Sequence, residues 1–152
     1  MKIREATTGD LHEIIEMYQD LIKWVYPKRA HGSYEDFYDF CTDLILTDTK
    51  YVFVTYNEQE ITGFSVIGFD DAGGLTEIVV NAEVAYVKEA YRKTKAAYLQ
   101  YMKVYKYAQQ TRMGLMTIAN PSSAEISAKR FGSEVLFTHI EVPRKTIWES
   151  IK

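Results

Sequence analysis

Four basic side chains lie close together in the middle of the chain, at Lys88, Arg92, Lys93 and Lys95. They follow an apolar strand pattern that ends at Val87, and a long helical pattern is predicted to begin near Arg92. A strand that leads into a helix N-terminus leaves backbone N–H groups unpaired at one point, which favours an anion. Because four cations there oppose the helix macrodipole, we predict that this junction binds a phosphate.

A second interpretation of the same cations stays open. Arg92, Lys93 and Lys95 also fit the solvated face of an amphipathic helix. The opposite face would then pack on a sheet, and it would carry Ala97, Tyr98, Tyr101, Tyr105 and Ala108. Charged helix faces are common, so only the placement of the charge at the N-terminal end favours phosphate binding.

The hydrophobic pattern predicts the elements that position this junction. Strands are predicted over residues 2–6, 51–56, 61–69, 75–87, 115–119 and 135–142, and helices over residues 11–25, 34–45, 92–112 and 124–131. Ser33 is a predicted cap of the second helix. Strands 51–56 and 61–69 read as an antiparallel hairpin. The predicted order is therefore βααβββαβαβ, an α/β domain of mixed topology.

Length and composition limit the classes of fold and function that are possible. The 152 residues, 47% hydrophobic and with a net charge of −3, fit one globular domain and do not suggest indiscriminate nucleic-acid binding. No apolar run is long enough for a membrane span, and no secretory signal is recognised, so a cytoplasmic location is expected. We expect residues 1–143 to form one domain and residues 144–152 a tail or docking segment. Homo-oligomers or a larger assembly stay open.

Three sets of residues carry a resemblance to a known family. The chain opens on Ile3-Arg4-Glu5-Ala6-Thr7 and Asp10-Leu11, its centre has Val87, Tyr91-Arg92 and Ala97, and Asn120, Ala124, Ile126 and Gly132 lie downstream. Together with the order of elements, they resemble the GNAT acyltransferase superfamily almost from end to end. The resemblance implies a mixed, mostly antiparallel central sheet with helices on both faces.

The resemblance also implies an activity, which is acyl transfer from acetyl-CoA or another acyl-CoA to an amine acceptor. The implied cofactor contacts are Ala85, Val87, Arg92, Lys93, Lys95, Ala96, Ala97 and Asn120. A backbone N–H near Ala85 to Val87 would polarise the thioester carbonyl where the fourth and fifth strands separate. The turn from Arg92 to Ala97 would hold the pyrophosphate.

Two departures from the family pattern bear on that activity. Lys95 stands where the family keeps the first glycine of the turn; either its stem points outward and its ammonium adds to the anion site, or its bulk occludes the pyrophosphate. Ala128 stands where the family frequently places an acid tyrosine. Tyr86 or Tyr91 would replace that acid only if the fold brings one of them to the cofactor sulfur.

Glu83 is the candidate general base. Counting by two along the strand places Glu83 on one face with Asn81, Ala85 and Val87, near the predicted separation of the strands. A solvent-facing strand glutamate is the alternative. Cys41 falls on the apolar face of the second predicted helix, where a buried, unreactive thiol is expected.

A second function class is a catalytically inactive GNAT-fold protein with a structural or assembly role, such as a phage protein associated with the virion. The missing glycine and tyrosine favour it, whereas the retained Val87, Tyr91, Arg92, Ala97 and Asn120 favour the enzyme. No metal is expected, because the three histidines are scattered singly without the spacing of metal ligands.

Overall fold

The computed structural model describes residues 1–70, 79–111 and 113–117, together with Glu125 and Lys129. The chain divides into two compact units, Met1–Ile118 and Ala119–Lys152, and the elements below belong to the first. The predicted strand over residues 135–142, the tail over 144–152, and Asn120 and Ala128 lie outside the described residues. In the second unit, Glu125 and Lys129 are both helical. The single domain over residues 1–143 stays a prediction.

The secondary structure follows the predicted order as far as it is described. Strands are β1 (Lys2–Glu5), β2 (Tyr51–Tyr56), β3 (Ile61–Asp70), β4 (Val79–Val87) and β5 (Gly114–Thr117), and α-helices are α1 (Leu11–Val25), α2 (Tyr34–Leu46) and α3 (Ala96–Thr111). Thr8–Asp10 and Glu89–Tyr91 form short 3-10 helices. The sheet order is β1-β2-β3-β4-β5, antiparallel except for the parallel β4–β5 pair.

The sheet is covered on both faces, as predicted. Helices α1 and α2 pack on one face through a cluster that includes Ile14, Ile15, Met17, Phe37, Cys41, Leu44, Val54, Phe64, Val66 and Tyr86. Helix α3 packs on the other face, where its residues Val104 and Ala108 form a cluster with Phe53, Ile67 and Val80 of the sheet. Each cluster buries several large apolar side chains, and burial of that kind is the main source of folding free energy. The mixed α/β fold class is confirmed.

The predicted cap of α2 is also present. The Asp36 N–H donates to Ser33 Oγ at 3.2 Å, and the Ser33 N–H donates to Asp36 Oδ2 at 2.6 Å. This reciprocal pair is a capping box, which satisfies two backbone donors that a helix start leaves free. Helix α2 therefore begins where its sequence predicts.

Helix α3 begins four residues later than predicted, at Ala96 instead of near Arg92. After the 3-10 helix, the Thr94 N–H donates to Tyr91 O at 3.0 Å, and the Ala96 N–H donates to Thr94 Oγ1 at 3.3 Å. A threonine side chain that binds nearby backbone in this way competes with helix formation. Arg92 and Lys95 consequently lie in a turn ahead of the helix. They are not part of its first turn, where their positive charge was predicted to oppose the helix dipole.

The packing face predicted for α3 is confirmed at Ala108 and wrong at Ala97 and Tyr98. The buried residues repeat every fourth position, at Ala96, Gln100, Val104 and Ala108, whereas Ala97 is exposed and Tyr98 is 54% exposed. The reason is Gln100, whose Nε2 donates to Tyr86 O at 3.0 Å and to Thr55 Oγ1 at 3.4 Å. A buried amide is tolerated when it is hydrogen-bonded. A packing face assigned from residue polarity alone therefore leaves out Gln100.

An ion pair joins β1 to the start of α1 and predicts a pH dependence of stability. Arg4 Nη1 and Nη2 contact Asp10 Oδ2 and Oδ1 at 2.6 and 2.7 Å, and the Thr7 N–H donates to Asp10 Oδ2 at 2.8 Å. The hydrogen bonds from Arg4, followed by the one from Thr7, lower the pKa of the buried Asp10 carboxyl. The stabilisation that the Asp10 carboxylate provides is complete when the pH is above the pKa of this group in the unfolded chain. It is lost as the pH falls through the lower pKa that the group has in the folded protein.

We therefore expect Asp10→Asn to lower the free energy of unfolding by about 1–2 kcal/mol at pH 7, a value that allows for the exposure of Arg4. The difference from the wild type should shrink below about pH 4, because the wild-type carboxylate is then being protonated. Urea unfolding at a series of pH values measures this. A difference that stays constant down to pH 2.5 would contradict the ion-pair explanation.

Candidate functional site

The junction after β4 is held in place by a carboxylate that the sequence analysis did not single out. Glu60, just before β3, forms an ion pair with Lys88 Nζ through Oε2 and accepts a hydrogen bond from the Tyr91 hydroxyl at Oε1, 2.8 Å away. These two hydrogen bonds, Lys88 first, lower the pKa of the Glu60 carboxyl. The charge of Lys88 is therefore paired with a carboxylate of the β2–β3 loop, and the Tyr91 hydroxyl donates its hydrogen bond to the same carboxylate.

The other cations of the junction are exposed. Arg92, Lys93 and Lys95 all face solvent, and no ion pair involving them occurs among the described residues. Arg92 Nε donates to Val87 O at 3.2 Å, and its Cζ lies 5.9 Å from the centre of the Trp24 ring. The interior position at the start of α3 is filled by Ala96, which is completely buried, and not by Lys95. The positive charge is thus concentrated on one exposed turn.

Strand β4 contains a β-bulge at Glu83. Val66 of β3 pairs with Val84, but the next residue, Ile67, pairs with Ala82, so that Glu83 is extra in the ladder. A bulge of this kind interrupts the alternation of side chains between the two faces. Before it, Val80 and Ala82 face α3; after it, Val84 and Tyr86 face α1 and α2. A regular count by two would keep these four residues on one face, and the bulge breaks that count.

The bulge also changes the surroundings of the candidate base. Glu83 Oε2 lies 2.5 Å from Lys50 Nζ, and the carboxylate covers Gly68, where an added Cβ would lie 2.2 Å from Glu83 Oε1. Gly68 belongs to the face of β3 that carries Phe64 and Val66, the face covered by α1 and α2. Glu83 consequently does not share a face with Ala85, which contradicts the count by two. The Glu83 side chain is 28% exposed.

The predicted backbone donors face the edge of β4. The Lys88 N–H donates to Thr62 O at 3.0 Å, so the alternation of an antiparallel ladder directs the N–H groups of Val87 and Ala85 away from β3. On that side, the described pairs of β4 with β5 reach only Ala82–Thr117. Beyond this pair, no described strand accepts hydrogen bonds from Ala85 or Val87.

The other residues considered in the sequence are a possible acid, a thiol, metal ligands and one more cofactor contact. Tyr86 is buried against Phe64, with ring centres 6.2 Å apart. Cys41 is completely buried, and this burial raises the pKa of its thiol to about 11, in keeping with the unreactive thiol expected from the sequence. Among the described residues, no three His, Cys, Asp or Glu side chains form a group that could hold a metal. Asn120, a predicted cofactor contact, lies outside the described residues.

Sequence reasoning missed Lys50, Glu60 and Trp24. Lys50 and Glu83 are 33 positions apart, and Lys88 and Glu60 are 28 apart. Pairs so far apart meet only because of strand pairing, and no local spacing pattern marks them. The register of β3 with β4, in which Gly63 pairs with Val87, would have placed Glu60 beside the end of β4.

Comparison with solved structures identifies the fold. The chain is similar to a transcriptional regulator from Bacillus halodurans C-125, with 16% identity, a TM-score of 0.72 and coverage of 93% of this chain and 98% of that one. It is similar to the aminoglycoside N-acetyltransferase AAC(6')-Iy in complex with CoA, with 15% identity, a TM-score of 0.70 and coverage of 94% of both chains. A predicted acetyltransferase with acetyl-CoA from Clostridium acetobutylicum has 12% identity, a TM-score of 0.73 and coverage of 95% and 97%.

At the level of sequence, neither a protein-family model nor a curated protein matches the chain. At identities of this size, a likeness in structure establishes the fold alone. The GNAT-like fold that the sequence predicts is thereby confirmed. In the described part of the chain, no helix is both long enough and apolar enough to cross a membrane.

Proposed function

We propose that the chain is an acyl-CoA-dependent N-acyltransferase that transfers an acetyl or other acyl group to an amine. The observation that carries the proposal is the edge of β4, where the N–H groups of Ala85 and Val87 point away from β3 beyond the last described pair with β5. Two such donors suit a thioester carbonyl, because a backbone N–H already fixed by the sheet stabilises a developing oxyanion without reorganising. Bound acyl-CoA supplies the thioester that is cleaved.

The turn after β4 has the properties that a pyrophosphate requires. Among the described residues, the N–H groups of Lys93, Lys95 and Ala97 donate to no protein atom. Three exposed cations, Arg92, Lys93 and Lys95, belong to the same turn. Backbone donors at a helix start together with cations form a common phosphate-binding arrangement. The exposure of Lys95 supports the interpretation in which its ammonium adds to the anion site.

Glu83 is the proposed general base. An amine acceptor is protonated at neutral pH, and it must lose a proton before its nitrogen can attack the thioester carbon. The Glu83 carboxylate lies two residues before the first proposed donor, and its side chain is 28% exposed. Lys50 Nζ lies 2.5 Å from this carboxylate, and the ion pair supports the proposal that the carboxylate can contact an ammonium group.

The base can be tested in two ways. Glu83→Gln is expected to lower turnover about 100-fold while leaving acetyl-CoA binding intact, since general bases contribute about that much or more. Gly68→Ala should act in the same direction, because its Cβ would occupy the position of the carboxylate. Release of the CoA thiol in the presence of a panel of primary amines measures turnover, and calorimetry measures binding. Unchanged turnover in both variants would exclude this role.

A second candidate is a catalytically inactive protein with the same fold and an assembly role. The observation that favours it is the commitment of the available tyrosines: Tyr91 donates to Glu60 and Tyr86 is buried, so neither stands free as an acid among the described residues. Such a protein should sediment as an oligomer or with a larger assembly and should not bind a CoA thioester.

Melting temperature in the presence of acetyl-CoA separates the two candidates. A ligand that binds only the folded state stabilises it by mass action, by about 2.7 kcal/mol at 100 times its Kd. The enzyme is therefore expected to melt at a higher temperature with millimolar acetyl-CoA. If acetyl-CoA produces no shift and the protein sediments as a large particle, the assembly role is the correct one.

A further inference from the structure

Trp24 is a largely exposed aromatic residue near the end of α1, and it contacts Arg92 of the proposed pyrophosphate turn. Its side chain is 64% exposed near the C-terminal end of the helix. The Arg92 guanidinium lies over its ring, with Cζ 5.9 Å from the ring centre. This is a cation–π contact between residues 68 positions apart, and it joins the end of α1 to the turn after β4.

Arg92 has a second fixed contact. Its Nε donates to Val87 O at 3.2 Å, which uses the inner edge of the guanidinium. The same guanidinium lies over the Trp24 ring, with Cζ 5.9 Å from the ring centre. An arginine held both at Nε and by an aromatic ring rotates less freely, and its two terminal nitrogens remain as a fork that matches two phosphate oxygens.

We infer that Trp24 is a positioning residue that orients Arg92 to bind the pyrophosphate of the CoA thioester. The inference rests on the proposed function and extends it to a residue on a different element. Trp24 acts through Arg92, so its removal weakens binding without affecting the chemistry at the acyl group. Its effect is therefore on affinity for CoA and not on turnover at saturation.

The first test compares substitutions that keep or remove the aromatic face. Trp24→Leu is expected to weaken CoA binding by about two- to fivefold, the value of an exposed cation–π contact. Trp24→Phe keeps a ring and should restore most of the affinity. Because Trp24 is largely exposed, the melting temperature without ligand should be the same in all three proteins. Calorimetric titration with CoA gives the affinities.

The second test uses the fluorescence of Trp24 itself. The sequence has two tryptophans, so Trp148→Phe leaves Trp24 as the only one. Binding of a phosphate to Arg92 changes the charge next to the indole, and the emission of this variant should change on titration with CoA. Dephospho-CoA, which keeps the pyrophosphate, should give the same change, whereas 4′-phosphopantetheine and adenosine 3′,5′-bisphosphate, each with only one of its two phosphates, should give a smaller change at the same concentration.

The outcomes distinguish the inference from the function on which it rests. Equal CoA affinity in the Leu and Phe variants, or unchanged Trp24 emission in a protein that binds CoA by calorimetry, would overturn the role of Trp24 and leave the acyltransferase intact. An emission change with adenosine 3′,5′-bisphosphate but not with dephospho-CoA would place a different phosphate at Arg92 and would also overturn it. Absence of CoA binding in the wild-type protein would refute the proposed function itself.

Discussion

Arg92→Glu is expected to abolish the rise in melting temperature that acetyl-CoA gives the wild-type protein. For a domain of this size, the stabilisation at 100 times the Kd corresponds to a rise of roughly 5–10 °C. The substitution removes the fork that faces the phosphates and places a carboxylate on the same exposed turn, where it repels them. Differential scanning fluorimetry with and without acetyl-CoA measures the effect.

The matched control is Lys106→Glu, which makes the same change of charge at an exposed position in the second half of α3. It should retain nearly the whole shift, because exposed charges separated by more than about 10 Å are largely screened at ordinary salt. If both variants lose the shift equally, the effect reflects net charge and not a site at Arg92. If Arg92→Glu retains the full shift, the proposed pyrophosphate turn is wrong.

Gly63→Ala is expected to be the most destabilising small substitution in the sheet. A Cβ at this position would lie 2.5 Å from Tyr86 O, 2.7 Å from Gln100 Nε2 and 3.0 Å from Thr55 Oγ1. The carbonyl is part of the backbone of β4 and cannot rotate away, so the strand or α3 has to move. Overpacking of this kind costs about 2–3 kcal/mol, or roughly 5–10 °C in melting temperature.

The chain offers a direct control for this prediction in Gly9→Ala. A Cβ at Gly9 would meet only Thr7 Oγ1, at 3.5 Å, an ordinary van der Waals distance. Its melting temperature should stay within about 2 °C of the wild type, since substitutions without such a clash usually change stability little. Thermal unfolding of the two variants side by side tests the argument, and equal melting temperatures would contradict it.

The sequence predicts most of the fold because the helical and strand periodicities of apolar residues are clear in elements with one buried face. Residues of α1 and α2 repeat at three- and four-residue steps, and the strands of the β2–β3 hairpin are rich in Val, Ile and Phe. The signals at element ends are also local: Ser33 and Asp36 form their capping box within four residues. Order and class of the elements therefore follow from short-range chemistry.

The site is harder to predict because its determinants are tertiary. Gln100 is polar by composition, yet it is buried because the Tyr86 carbonyl and Thr55 hydroxyl are there to accept its hydrogen bonds. The 3-10 helix Glu89–Tyr91 delays the start of α3 and moves the cations into a turn. Neither the partner of Glu60 nor that of Glu83 can be read from neighbouring residues.

The bulge at Glu83 adds one residue to β4 that the core does not need. Because Ala82 and Val84 already pair with the adjacent residues Ile67 and Val66, deletion of Glu83 would close the ladder into regular alternation. Val84 and Tyr86 would stay under α1 and α2, and Val80 and Ala82 would stay under α3, so both apolar clusters would keep their residues. The extra residue therefore serves the surface of the strand: it places a carboxylate beside Lys50 and over Gly68 without changing the packing beneath it.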